Sequence, residues 1–376
     1  MTALVLFWGA ALFVAYTYIG YPLLIAWLAR RRPMPACPLL DDASLPAITV
    51  VMAGYNEAAR LPGKIANLRA LDYPQDKVHI LVVSDGSTDS SAALLEDLPG
   101  VRTLAYAQRQ GKAYALNLAL TRVQTAFVVF CDVRQELSPG SVRRLISDFC
   151  DPAVGAVSGE LVHRPSGSHT GDNIGLYWRY EKAIRKAESR FHSTVGATGA
   201  LYAIRTGDFV PIPPDTILDD FEIPMRITRS GMRTLLQPQA LVVDVLQTES
   251  ATEQRRKIRT LTGNFQTFSR NFWLFSPAQN PVWFQFLSHK VFRLLVPYAL
   301  LLTLLCSALI PAVFYRLAFA LQLGFYLLVA AGHWVPAARR NKFVSFAQVF
   351  FDMNAAAVVA LVRFLGGRVE AKWDKT

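Results

Sequence analysis

Residues 126–134 read Ala-Phe-Val-Val-Phe-Cys-Asp-Val-Arg. The apolar run Phe127 to Cys131 is unbroken, rich in Val and Phe, and stops at Asp132. A short run of this kind predicts a strand buried on both faces, as in the middle of a parallel sheet. Helices cover such strands, and ligands bind outside their carboxyl ends. Asp132 is therefore expected at the mouth of a cleft, where a carboxylate can hold a divalent cation. An acidic residue that only opens a turn is the alternative.

The same alternation extends upstream. Strands are expected at Ile48–Ala53, Val78–Ser84 and Val101–Ala105, and helices at Ala58–Ala70, from Ser90, and at Lys112–Thr121. Strands alternating with helices predict βαβ units, hence an α/β fold with a mostly parallel sheet. Right-handed crossovers gather the loops Gly54-Tyr55-Asn56-Glu57, Ser84-Asp85-Gly86-Ser87 and Cys131-Asp132-Val133-Arg134 at one rim. After Asp151 the pattern weakens. A strand over Val154–Ser158 is expected. So are a small-residue turn and strand over Gly196–Arg205, and a helix from Leu218 through Arg229. Asn173–Ser189, with Tyr177, Trp178 and Tyr180, reads as an amphipathic helix lying on a membrane surface or packing on the sheet.

Both ends are apolar. Over 376 residues, 52% are hydrophobic, and the mean hydropathy is +0.25. Leu4 to Leu28 is long enough to cross a bilayer, which needs roughly 20 residues. Arg30, Arg31 and Arg32 follow it, so the amino terminus is expected outside and the central domain in the cytoplasm. Leu294–Phe314 and Leu317–Val335, split by Arg316, read as further spans. Phe343–Leu365 is interrupted by Asp352, Asn354 and Arg363, and either crosses or turns back. The basic tail Arg368 to Lys375 lies outside in the first case and in the cytoplasm in the second. The expected units are a membrane helix over 1–32, a Pro-rich linker over 33–46 and an α/β domain over 47–270. An interfacial amphipathic segment over 271–293 and a membrane region over 294–376 follow. The net charge is +11. Beside membrane segments it favours lipid head groups and an anionic substrate over nucleic acid. The 4 cysteines show neither metal spacing nor a framework of pairs. Cys131 and Cys150 read as small core residues in a reducing compartment. His163 and His192 have no ligand spacing.

Gly54-Tyr55-Asn56-Glu57, Ser84-Asp85-Gly86-Ser87-Thr88-Asp89 and Arg109-Gln110-Gly111-Lys112-Ala113 resemble the nucleotide-sugar half of family 2 glycosyltransferases. Phe130-Cys131-Asp132, Gly199-Ala200-Leu201-Tyr202-Ala203-Ile204-Arg205 and Leu218-Asp219-Asp220 continue the series in order. The resemblance covers about Pro46 to Arg270, with flanking spans like those of membrane-bound polysaccharide synthases. It implies a GT-A catalytic domain between transmembrane helices, and inverting transfer from a UDP-sugar to a polysaccharide or lipid-linked saccharide. Membrane lipids and subunits of an export machinery are the further partners it allows.

Residue by residue, the resemblance puts Asp85 against the base, with Tyr55 and Glu57 beside it. Arg109 and Lys112 meet phosphate. Asp132 holds Mg²⁺ or Mn²⁺, which bridges the diphosphate. Asp220 is the base that takes the acceptor's proton, and Asp219 positions it or caps the helix. Many relatives carry a second acid where Arg134 stands, so Arg134 is expected to supply part of the missing charge. Processive synthases carry Gln-x-x-Arg-Trp. Here Gln254-Arg255-Arg256-Lys257-Ile258 lacks the last two residues, and Arg256 and Arg259 are expected to bind diphosphate. A nucleotidyltransferase would need a glycine-rich basic first loop, which Gly54-Tyr55-Asn56-Glu57 is not. The alternatives to a chain-extending enzyme are a non-catalytic glycan-binding membrane subunit and a lipid glycosyltransferase making a single addition.

Overall fold

The computed structural model describes residues 1–33, 37–164, 169–245, 250–335, 338 and 341–369. Part of the Pro-rich linker and most of the basic tail lie outside the described residues. The 8-stranded sheet runs in the order β3-β2-β1-β4-β7-β6-β8-β5. Its strands are β1 Ile48–Gly54, β2 Val78–Asp85, β3 Val101–Tyr106, β4 Phe127–Cys131, β5 Glu136–Leu137, β6 Val154–Arg164, β7 Leu201–Arg205 and β8 Arg233–Val245. Strands β1 to β4 pair parallel with one another. β7 runs antiparallel to both β4 and β6, and β6 pairs parallel with β8.

The decisive strand is buried on both faces. Val129 and Cys131 enter one core with Ile65, Leu68 and Leu145. Val128 and Phe130 enter the other with Leu116, Ala119, Ile223 and Ile227. The first core is covered by α2 Leu61–Arg69 and α5 Ser141–Ser147, the second by α4 Lys112–Leu120 and α7 Asp219–Arg229. Before them comes α1 Thr2–Arg30, and between them α3 Ser91–Glu96 and α6 His169–Phe191. The carboxyl-terminal helices are α8 Ser250–Arg270, α9 Trp283–Leu309, α10 Val313–Trp334 and α11 Lys342–Leu365.

Four helices, α1, α9, α10 and α11, are long and apolar enough to cross a membrane. The interfacial reading of 271–293 meets a helix that begins at Trp283 and runs on to Leu309 without a break. The expected division of the next two spans at Arg316 is corrected. The chain breaks between Leu309 and Val313, and Arg316 lies inside α10. Pro311, which lacks an amide hydrogen, sits in that break. α1 packs on α9 through Phe13 and Phe292, with ring centroids 5.1 Å apart, and the Tyr16 hydroxyl lies 2.9 Å from Ser288 Oγ.

The cysteine reading is also corrected. Cys37 and Cys150 form a disulfide across 113 residues of sequence, with Cα atoms 6.0 Å apart. Such a separation leaves no local spacing signal, so the pair is visible only once the linker lies against the domain. The reducing-compartment expectation rested on unpaired cysteines and loses that support. Cys131 is free and buried, as expected.

Candidate active site

The register of the sheet builds the site. Cys131 pairs with Leu201, so Asp132, one residue on, emerges beside the turn 196–200 that precedes β7. α4 begins at the same rim with Lys112, after Gly111 at φ +102°. α7 begins there with Asp219 and Asp220.

Lys112 draws these groups together. Its Nζ donates to Asp132 Oδ1 at 2.9 Å and lies 3.3 Å from Asp219 Oδ2. Burial works against the ammonium, yet Asp132, Asp219 and Asp220 outweigh it and hold the Lys112 pKa above the ordinary lysine value. Asp220 Oδ2 accepts the Gly199 amide at 3.0 Å. Burial first, then Asp219, push Asp220 up to about 6, against the opposing pull of Lys112 and the Gly199 amide. A Cβ at Gly199 would stand 2.8 Å from Asp220 Oδ2. The small-residue turn therefore lets the backbone reach the carboxylate.

Asp85 is the last residue of β2. It is fully buried. Oδ1 accepts from the Tyr106 hydroxyl at 2.8 Å and the Gln110 amide at 2.7 Å, and Oδ2 from the Gly111 amide at 2.9 Å. Asp85 thus fixes the loop that leads into Lys112. Beside it the Arg109 guanidinium stacks 3.9 Å from the centroid of the Tyr55 ring. Glu57 pairs with Arg60 at 2.9 Å, and its amide donates to Ser91 Oγ at 2.9 Å. The two loops are stitched by Asn56, whose Oδ1 accepts the Thr88 amide at 2.7 Å.

Gly86 has φ +64°, and a Cβ there would meet the Arg109 backbone nitrogen at 2.4 Å. Gly86→Ala is therefore expected to cost about 1–3 kcal/mol for the left-handed backbone alone, with more from the clash. Thermal unfolding should show the lower Tm, and nucleotide titration a weaker donor affinity as the Arg109 loop shifts.

Arg256 and Arg259 lie on α8, two turns and one turn before Gly263 on the same face. A Cβ at Gly263 would meet Leu218 Cγ at 2.7 Å and Ile217 Cγ2 at 2.9 Å. Ile217 donates its amide to Gln266 Oε1 at 3.0 Å. This face of α8 thus docks on the residues just before Asp219 and Asp220. Arg134 is turned elsewhere, with Nη2 2.5 Å from Asp244 Oδ2 on β8. Sequence reasoning missed the Gly199 amide and Asp244, because each acts through a partner distant in sequence.

A divalent ion is tested by the donor set. Three carboxylates face one ammonium here, and Asp219 Oδ2 is buried without a hydrogen bond, so the rim carries surplus negative charge. Among the described residues, no group of three or more His, Cys, Asp or Glu could by itself hold a metal. Asp132, whose side chain is 36% exposed at the rim, is the carboxylate that would be open to a divalent ion.

The α/β domain with its largely parallel sheet thus carries two paired acids at the head of a helix and a third beyond a central strand. Residues 49–209 match the model of "Glycosyl transferase family 2". Poly-beta-1,6-N-acetyl-D-glucosamine synthase of Staphylococcus aureus is 22% identical over 244 residues, 63% of this chain and 59% of that protein. Beta-monoglucosyldiacylglycerol synthase of Synechocystis is 26% identical over 220 residues, 53% of this chain and 45% of that protein. The chain thus spans less than two thirds of the length of either curated relative. The solved structure of the mannosyltransferase PcManGT from Pyrobaculum calidifontis, in complex with GDP-Man and Mn²⁺, shares the fold. Its TM-score is 0.69 at 23% identity, over 96% of this chain and 99% of that one. Residues 49–209 thus resemble a family 2 glycosyltransferase, and the chain is similar to membrane polysaccharide and glycolipid synthases over part of their length.

Proposed function

We propose that the protein is an inverting membrane glycosyltransferase that moves a sugar from a UDP-sugar to a hydroxyl of a glycan or lipid-linked acceptor. The observation that carries this reading is the convergence of Asp132, Asp219 and Asp220 on Lys112, with Asp220 pushed up to about 6. The acceptor oxygen attacks the anomeric carbon and its proton passes to Asp220. The bond from that carbon to the diphosphate oxygen breaks, and the electron pair leaves with the nucleotide. Lys112, Arg109, Arg256 and Arg259 supply positive charge to the departing diphosphate. Mg²⁺ or Mn²⁺, held by Asp132 together with the donor, would neutralise the same leaving group. Asp85 contributes by fixing the loop that presents Arg109 and Lys112, and Tyr55 and Glu57 line the same rim. We place this domain on the cytoplasmic side, next to Arg30–Arg32.

The pH dependence follows from the base. Below about 6 Asp220 holds its own proton and cannot accept another; above it the carboxylate is free. The transfer rate at saturating donor is expected to rise with pH through an apparent pKa about 6, read as initial rates between pH 4.5 and 8. The defining experiment incubates the detergent-purified chain with a panel of UDP-sugars and GDP-mannose, with Mn²⁺ or a chelator, and sizes the products. The missing Gln-x-x-Arg-Trp tryptophan favours short products on a lipid. A ladder of long polymers would favour the chain-extending reading. No transfer from any donor would overturn both.

A further inference from the structure

The helix that leads up to the catalytic turn carries Glu181, Arg185 and Glu188 at the spacing i, i+4, i+7, so all three lie on one face of α6. The two glutamates face the membrane helices. Glu188 accepts from the Tyr21 hydroxyl of α1, and His289 Nδ1 of α9 lies 2.7 Å from the same Oε1. Glu181 Oε2 lies 3.0 Å from His289 Nε2, and its other oxygen pairs with Arg293. Tyr21, Glu188 and His289 are at most 2% exposed. α6 is also tied to β6, where Glu160 takes Lys182 at 3.0 Å and Lys186 at 3.1 Å.

Arg185, between the two glutamates, turns toward the sheet. Its Nη1 donates to Thr198 Oγ1 at 2.7 Å and its Nη2 to Ser158 Oγ at 3.0 Å. Ser158 Oγ also accepts the Thr198 amide at 2.9 Å. The next amide, Gly199, is the one that holds Asp220 at 3.0 Å. Burial works against the guanidinium charge, and Glu188, Glu181, Asp220 and Glu160 favour it. A buried arginine held in this way is costly unless its hydrogen bonds are needed.

We propose that Arg185 is a positioning residue for the catalytic base: through Thr198 and Ser158 it sets the turn whose Gly199 amide orients Asp220. This rests on the reading of Asp220 as base. Arg185 touches neither donor nor acceptor in this account, and it acts through the turn. The groups that face Asp220 are Asp219 on its own helix, Lys112 on α4, Asp132 after β4 and Arg185 on α6. Loosening the turn removes the Gly199 donor from Asp220 and moves a positive charge away. Both changes favour the protonated acid.

The test uses the full chain and compares Arg185→Met and Arg185→Lys with wild type. Arg185→Met is expected to lower kcat about 10–100-fold, the scale of a misplaced catalytic group, with donor KM unchanged. Its acid limb moves to higher pH, and Arg185→Lys restores part of the rate. Ser158→Ala, which deletes only the shared hydroxyl, should move the limb in the same direction by less, and it serves if Arg185→Met fails to fold. A kcat loss with an unmoved limb in both Arg185→Met and Ser158→Ala assigns Arg185 a structural role and overturns the proposal. So does a change confined to donor KM. If Asp220→Asn is fully active, the reading of the base itself fails. If Asp220→Asn is inactive while the limb stays fixed in the Arg185 and Ser158 variants, only this inference falls.

Discussion

Asp220→Asn is expected to lower the rate of sugar transfer about 10²–10⁴-fold, the usual contribution of a positioned general base. Nucleotide binding should persist. Asparagine keeps the shape of the side chain and an oxygen that can accept the Gly199 amide, so the start of α7 stays in place. It removes the one property the mechanism needs, a carboxylate able to take a proton. Asp219 does not replace it, because its buried Oδ2 is already 3.3 Å from Lys112. Initial rates against a nucleotide titration separate the two effects. An unchanged rate would remove Asp220 from the mechanism.

Lys112→Ala should be damaging in two ways. It removes the ammonium that contacts Asp132 and Asp219. Removing one partner of a buried ion pair leaves uncompensated charge and costs about 3–5 kcal/mol. The Lys112 side chain is 22% exposed, so the lower end of that range is expected here. The loss should shrink as pH falls through about 6, where Asp220 gains a proton and one of the facing negative charges disappears. Catalysis should fall about 10²–10³-fold, as when a group aimed at developing charge is deleted. Thermal unfolding at pH 5 and pH 8, beside donor-dependent rates, checks both. A Tm equal to wild type at pH 8 would deny Lys112 its place at the centre of the cluster.

The half of the domain built from local alternation was legible. Phe127–Cys131 announced a doubly buried strand, and the strands before it followed from their apolar runs. The motif series led to Asp85, Asp132 and Asp220 being expected around one donor; Lys112 gathers Asp132, Asp219 and Asp220, while Asp85 is held by the Gln110 and Gly111 amides. The other half was less visible, because its signals are not local. β7 runs antiparallel between two strands, a choice made by the long connection through α6. β8 was missed, since Pro238 interrupts its apolar run and breaks the strand pattern. The burial of Asp85 was hidden too: Asp-Gly looks like an exposed turn until the Gln110 and Gly111 amides fold over it. Arg134 was misjudged because its partner, Asp244, is 110 residues away.

The bond between Cys37 and Cys150 gives the two halves of the domain unequal fates when the protein comes apart. It makes one covalent ring of everything from the linker to the end of α5, so Asp85, Arg109, Lys112 and Asp132 lie inside it and Asp219 and Asp220 outside. A closed loop of about 100 residues removes chain entropy worth about 4.7 kcal/mol from the denatured ensemble. All of that restraint falls on the donor side. While oxidised, the denatured chain cannot be drawn out as a single thread, and whatever pulls on it meets a lasso before it reaches the acceptor side.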